Sequence, residues 1–224
     1  MPKIAILTIS LVIATLLSII LALCYGAVSL SFTQVANILL SSSVDGNDVY
    51  RQIVMELRFP RVLLAFICGA GLAVSGAILQ QVTRNPLADP YLFGITAGAS
   101  FGAVSMFTLL SSLSILLLPV AAFIGGLISV AVVVSIAGRS AFNQIERMLL
   151  AGVATSFMFS AGSSALLYHS DPQAAASILF WTLGSFSQAQ WSSLPAPAII
   201  IISCILLFFA FSRQVLAISS GDES

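Results

Sequence analysis

The 224 residues are 59% hydrophobic and 7% charged, with eight basic and eight acidic side chains and a mean hydropathy of +1.09. A water-soluble domain of that size cannot bury so much apolar surface, so the solvent is lipid. A formal charge of zero excludes both a basic nucleic-acid footprint and an acidic disordered tail.

The charges cluster in short breaks: Asp45 to Arg61, Arg84 to Asp89, Arg139 to Arg147, Asp171, and Arg213 to Glu223. Between them lie uncharged stretches long enough to cross a ~30 Å hydrocarbon core, which takes about 20 helical residues. The expected fold class is all-α, a polytopic transmembrane helical bundle with spans at about 4–28, 62–83, 92–109, 115–137, 146–168 and 193–212.

The first apolar run, Ile4 to Ala27, is too long for a signal-peptide core and ends without a small-residue cleavage site, so it reads as a retained span. Residues 31–40 form a short amphipathic helix on the membrane, followed by turn chemistry at Ser41-Ser42-Ser43 and Asp45-Gly46-Asn47. The second span carries Gly69, Ala73 and Ala77 four residues apart, a spacing that lets helix backbones approach in lipid. It is therefore expected to be central and covered by protein. Pro86 and Pro90 make 84–90 a rigid loop.

From Tyr91 to Gly138 no charge interrupts the chain, and Ser111-Ser112-Leu113-Ser114 divides the run into spans three and four. A polar turn at Arg139 to Asn143 precedes span five. Ala174 to Leu183, with Phe180 and Trp181, is helical yet too short to cross, and reads as a periplasmic-side helix. Span six follows Pro195 and Pro197 and ends at Arg213. Lys3, Arg84, Arg139, Arg147 and Arg213 fall on one side of this topology, and Arg51, Arg58 and Arg61 on the other, which puts the N-terminus in the cytoplasm.

Little catalytic chemistry is available. A phosphate-binding loop needs a lysine, and the sole lysine is Lys3. Ion-coupled carriers keep ionisable relays at membrane depth, whereas here only Glu146 and Arg147 enter a span, at its rim. His169, Ser170 and Asp171 are adjacent at a span end and do not form a hydrolytic set. Cys24, Cys68 and Cys204 sit in separate apolar stretches as packing residues, without disulfide or metal-ligand spacing. No cofactor, metal or catalytic residue is expected. The residues lead to a multi-span transport or channel subunit without its own energy source, and a non-enzyme.

Three stretches resemble the FecCD-like permeases of ABC importers for ferric siderophores and vitamin B12. They are Arg58-Phe-Pro-Arg61 running into Cys68-Gly-Ala-Gly-Leu-Ala-Val-Ser-Gly-Ala-Ile-Leu-Gln80; Arg84-Asn-Pro-Leu-Ala-Asp-Pro90 with Phe93-Gly-Ile-Thr-Ala-Gly-Ala99; and Leu149-Leu-Ala-Gly-Val153 with Trp181-Thr-Leu-Gly-Ser185. The resemblance implies a homodimer of ten-helix subunits in a bacterial inner membrane, with cytoplasmic ATP-binding subunits and a periplasmic substrate-binding protein. It implies iron(III)-siderophore-type cargo, with haem or cobalamin, or a non-transporting remnant, as alternatives.

The resemblance also assigns residues. Arg58 and Arg61 match docking positions for the binding protein, though they serve equally as headgroup anchors. Asn85 and Leu87, with Ile145 and Glu146, match a cytoplasmic gate, while Asn85 also suits a plain turn. Ser156, Ser160 and Ser164, with Trp181, match the pathway lining, and close helix packing explains the serines as well. Gly221, Asp222 and Glu223 resemble the start of the cytoplasmic segment, 213–224, that couples to the ATPase. Four further helices, about a third of a family member, have no counterpart in 1–224, and the expectation is that 1–224 alone does not transport.

Overall fold

In a computed structural model the described residues are 2–40, 48–109, 117–138 and 145–213. Among them the regular structure is entirely helical. The turns expected at Ser41–Ser43, Asp45–Asn47, Ser111–Ser114 and Arg139–Asn143 lie outside the described residues, as do Gly221, Asp222 and Glu223 of the coupling segment.

The chain divides into two compact units, 1–71 with 186–206 and 72–185 with 207–224. In the first, α1 (Pro2–Cys24) presents large apolar side chains outward along most of its length, and packs only through its last turns. α2 (Phe32–Leu40) starts on a reciprocal cap, in which Gln34 N donates to Ser31 Oγ at 3.3 Å and Ser31 N donates to Gln34 Oε1 at 2.8 Å. Its Val35 and Ile38 join Leu23, Cys24, Leu30 and Val54 in one apolar core.

The second span begins well before its expected start. α3 (Asp48–Gln52) runs into a π turn (Ile53–Arg58) and then without a break into α4 (Phe59–Thr83), giving a helical stretch of 35 residues, Val49–Thr83, long and apolar enough to cross a membrane. Pro60 lies inside this helix, fully buried. The wide turn ahead of it accommodates a ring that would otherwise crowd the carbonyl four residues back. The small-residue stripe on α4 is not covered as expected. Among the described residues nothing lies within 4 Å of a Cβ built at Gly69 or Gly76, although Gly71 meets Ile201 of α9 (Pro195–Ala210).

The second unit concentrates its close approaches elsewhere. After a 3-10 turn (Pro90–Phe93), α5 (Ile95–Leu109) starts three residues later than the expected span, because the turn and a left-handed Gly94 occupy 90–94. Its 15 described residues rise about 22 Å, less than the ~30 Å core. α5 crosses α6 (Leu118–Ala137) on bare backbone: a Cβ at Gly98 would sit 2.5 Å from Gly125 O, and Gly102 faces Ala121 O. α7 (Ile145–Tyr168) closes the group, with Met148 and Ala151 in a core with Phe93, Val133 and Ala137, and with Phe159 against Phe101 at 5.3 Å. α8 (Pro172–Thr182) forms where a short non-crossing helix is expected, capped by Asp171 Oδ2 accepting from Gln173 N.

Candidate functional site

The arginine positions differ sharply. Arg58 closes the π turn and is only 8% exposed. Its guanidinium donates from Nη1 to Leu23 O at 2.6 Å and Cys24 O at 3.0 Å, and from Nη2 to Val28 O. Leu23 and Cys24 end α1, where the last carbonyls lack intrahelical donors. A fork-shaped cation at the negative end of the helix dipole satisfies several at once. The fit is tight, since a Cβ at Gly26 would lie 2.8 Å from Arg58 Nη2. Arg58 thus faces α1 rather than an outside partner.

Arg61, three residues on, is half-buried, and among the described residues its buried Nε has no hydrogen-bond acceptor.

The loop after α4 is held by its own polar groups. Arg84 takes a left-handed φ of 50°, Asn85 N donates to Gln80 O at 3.2 Å, and Gln80 Nε2 donates to Pro86 O at 2.9 Å. Asn85 Oδ1 accepts from Leu87 N at 2.9 Å, an Asx turn, and Asp89 Oδ1 accepts from Tyr91 N at 2.8 Å. This geometry supports the turn reading of Asn85, while Leu87 is exposed. Asn85→Ala is expected to speed amide exchange at Leu87 about fivefold, matching one hydrogen bond of ~1 kcal/mol, and Asn85→Asp to restore it.

Gly94 anchors the other end of the loop. Its φ of 66° suits glycine, and a Cβ there would meet Ser156 Oγ at 3.0 Å, Ser129 Oγ at 3.1 Å and Gly152 O at 3.2 Å. Ser129, fully buried on α6, donates to Gly94 O at 2.8 Å.

The three serines of α7 do not share one environment. Ser156 is half-buried beside Gly94 and donates to Gly152 O at 2.8 Å, whereas Ser160 and Ser164 are exposed, with Ser164 Oγ donating to Ser160 O at 3.0 Å. A helix advances about 100° per residue, so position i+8 has drifted some 80° from position i. Glu146 is exposed in the first turn of α7, Ile145 begins that helix, and Trp181 is exposed on α8. Neither Gly94 nor the Gly98, Gly102 and Gly125 crossing is singled out by the sequence reading. Gly98-x-x-x-Gly102 and the Gly125-Gly126 pair are the signals that mark them.

The model of the FecCD transport family matches residues 14–224. The chain belongs to the FecCD family. Among curated relatives, the hemin transport system permease protein HmuU of Yersinia pestis is 38% identical over 202 residues, 88% of this chain and 58% of that one. The molybdate import system permease protein MolB of Haemophilus influenzae is 32% identical over 226 residues, 99% of this chain and 65% of that one.

A solved chain described as a metal-chelate type ABC transporter, inward-facing, superposes with a TM-score of 0.78 at 28% identity. That match covers all of this FecCD chain and 66% of the solved one. The FecCD chain therefore spans less than two thirds of these curated relatives and about two thirds of the solved one. Family membership and the long apolar helices make it a multi-pass membrane protein. These relatives differ in the cargo of their names.

Proposed function

We propose that this FecCD chain forms the membrane pathway of a binding-protein-dependent ABC importer for metal-chelate cargo of the iron(III)-siderophore type. The observation that carries the reading is the family match over residues 14–224. In this reading work comes from cytoplasmic ATP-binding subunits, with cargo delivered by a periplasmic binding protein to a pathway shared with a second permease copy. The setting is a bacterial inner membrane, with the N-terminus in the cytoplasm.

Arg61 is the docking cation in this reading. Its side chain is only half-buried, and the exposed part of a guanidinium favours an incoming carboxylate. Arg58 is already committed to α1. Asn85 and Leu87 form the gate loop, Ile145 and Glu146 contribute to the same gate, and Ser160, Ser164 and Trp181 lie along the pathway. Ser156 belongs to the packing behind it, and Gly221, Asp222 and Glu223 begin the coupling segment.

Arg61→Glu is expected to weaken binding-protein association at least tenfold at low salt, with a smaller effect at high salt, as charge-steered contacts do. Surface plasmon resonance on nanodiscs checks it. Gene deletion tests the larger claim. Loss of ferric-siderophore uptake, with hemin, cobalamin and molybdate uptake intact, is the expected result. Loss of one of those others instead would reassign the cargo, and unchanged uptake of all four would overturn the permease reading.

A further inference from the structure

We propose that Trp191 selects the π register of the turn ahead of Pro60, and that this selection places Arg58 on the last carbonyls of α1. A proline inside a helix strands one carbonyl whichever register the helix adopts. In the observed register Phe59 N donates five residues back, to Val54 O. The next bond of that series would run from residue 60 to Met55 O, and Pro60 has no N–H to give. In a regular α register the bond from residue 60 would run to Glu56 O, which would be stranded instead and crowded by the ring.

The choice therefore turns on which carbonyl finds another donor. Trp191 Nε1 donates to Met55 O at 3.0 Å, across 136 positions of sequence, and its ring lies 5.7 Å from that of Phe59. A backbone carbonyl with a donor is favoured over one without, so an indole N–H at Met55 O favours the wide turn. The donor is held in place by its own short helical turn, in which Gln190 N donates to Ser193 Oγ at 3.0 Å and Ser193 Oγ donates to Gln190 O at 2.7 Å. Leu194, next in the chain, is buried.

The register matters beyond the turn. A π turn adds one residue to the helix, so its loss would rotate the preceding segment by on the order of 100° relative to α4. Val54, fully buried in the core with Leu23 and Cys24, would turn away, and Arg58 would leave the end of α1. One hydrogen bond from Trp191 thus ties the start of α9 and the end of α1 to the same turn.

The test removes only the N–H. Trp191 is replaced in the full chain by 3-benzothienylalanine, which keeps the bicyclic ring and lacks the donor, with Pro60 intact or as Pro60→Ala. In the Pro60 protein, hydrogen exchange at the Phe59 amide is expected to speed about fivefold, and exchange of the Arg58 guanidinium protons to speed with it. In Pro60→Ala, where residue 60 supplies its own N–H, the same replacement is expected to change either rate less than twofold. Equal acceleration in both backgrounds would overturn register selection, leaving Trp191 an ordinary tether. Acceleration at Phe59 with unchanged Arg58 exchange would overturn the link to α1.

Discussion

Arg58→Ala is expected to lower the unfolding free energy by about 3 kcal/mol with no binding protein present. Two carbonyls, Leu23 O and Val28 O, lose their donor together, and Cys24 O keeps only the bond from Leu30 N. Each stranded acceptor costs ~1–3 kcal/mol, and the sum is offset in part because a buried guanidinium no longer has to be desolvated. Arg58→Lys should recover less than half, since an ammonium is a point charge and cannot fork across three acceptors. Denaturation in mixed micelles with increasing dodecyl sulfate, followed by circular dichroism, measures both. Arg61→Ala in the same assay is expected to stay within ~0.5 kcal/mol of the native chain, as its Nε holds no acceptor among the described residues. A native-like unfolding curve for Arg58→Ala would show that the cap is dispensable.

Gly125→Ala is the second large effect, an expected loss of about 3 kcal/mol from a single methyl group. That methyl would press on Gly98 O and on the Gly102 backbone, neither of which can swing aside like a side chain. The two helices must separate, and overpacking of this kind costs ~1–3 kcal/mol, with the upper end appropriate where backbone meets backbone. Gly69→Ala is the matched control. Nothing lies within 4 Å of that position among the described residues, so the gain in helix propensity, up to ~1 kcal/mol, should show instead. The same denaturation assay separates them, and equal behaviour of the two variants would contradict the crossing geometry.

These contrasts mark how far the sequence could be read. Long uncharged runs located the helices because in lipid an apolar segment has to satisfy its own backbone. Pro86 and Pro90 announced the loop that Asn85 and Asp89 then knit together. The stripe Gly69, Ala73 and Ala77 marked a face of α4 as open to close approach, yet among the described residues the tight crossing falls on Gly98, Gly102 and Gly125 instead.

Arg58 and Arg61 look alike in sequence, three positions apart beside a proline. What separates them is a turn with one residue too many, and its stabilising donor lies 136 positions away. No local pattern records such a partner. The docking, gate and pathway assignments came from the family resemblance, and only their surroundings are visible in the fold: a turn at Asn85, outward side chains at Leu87, Ser160 and Ser164, and a packed Ser156.

Only the final turns of α1 carry buried residues, Leu23 and Cys24, and the guanidinium of Arg58 grips that end. The 23-residue rod, about 34 Å long, is a lever with its fulcrum at one tip. A pivot of roughly 10° there would sweep the opposite tip through about 6 Å. Small adjustments near Arg58 would therefore be felt as a sideways stroke at the far face of the bilayer.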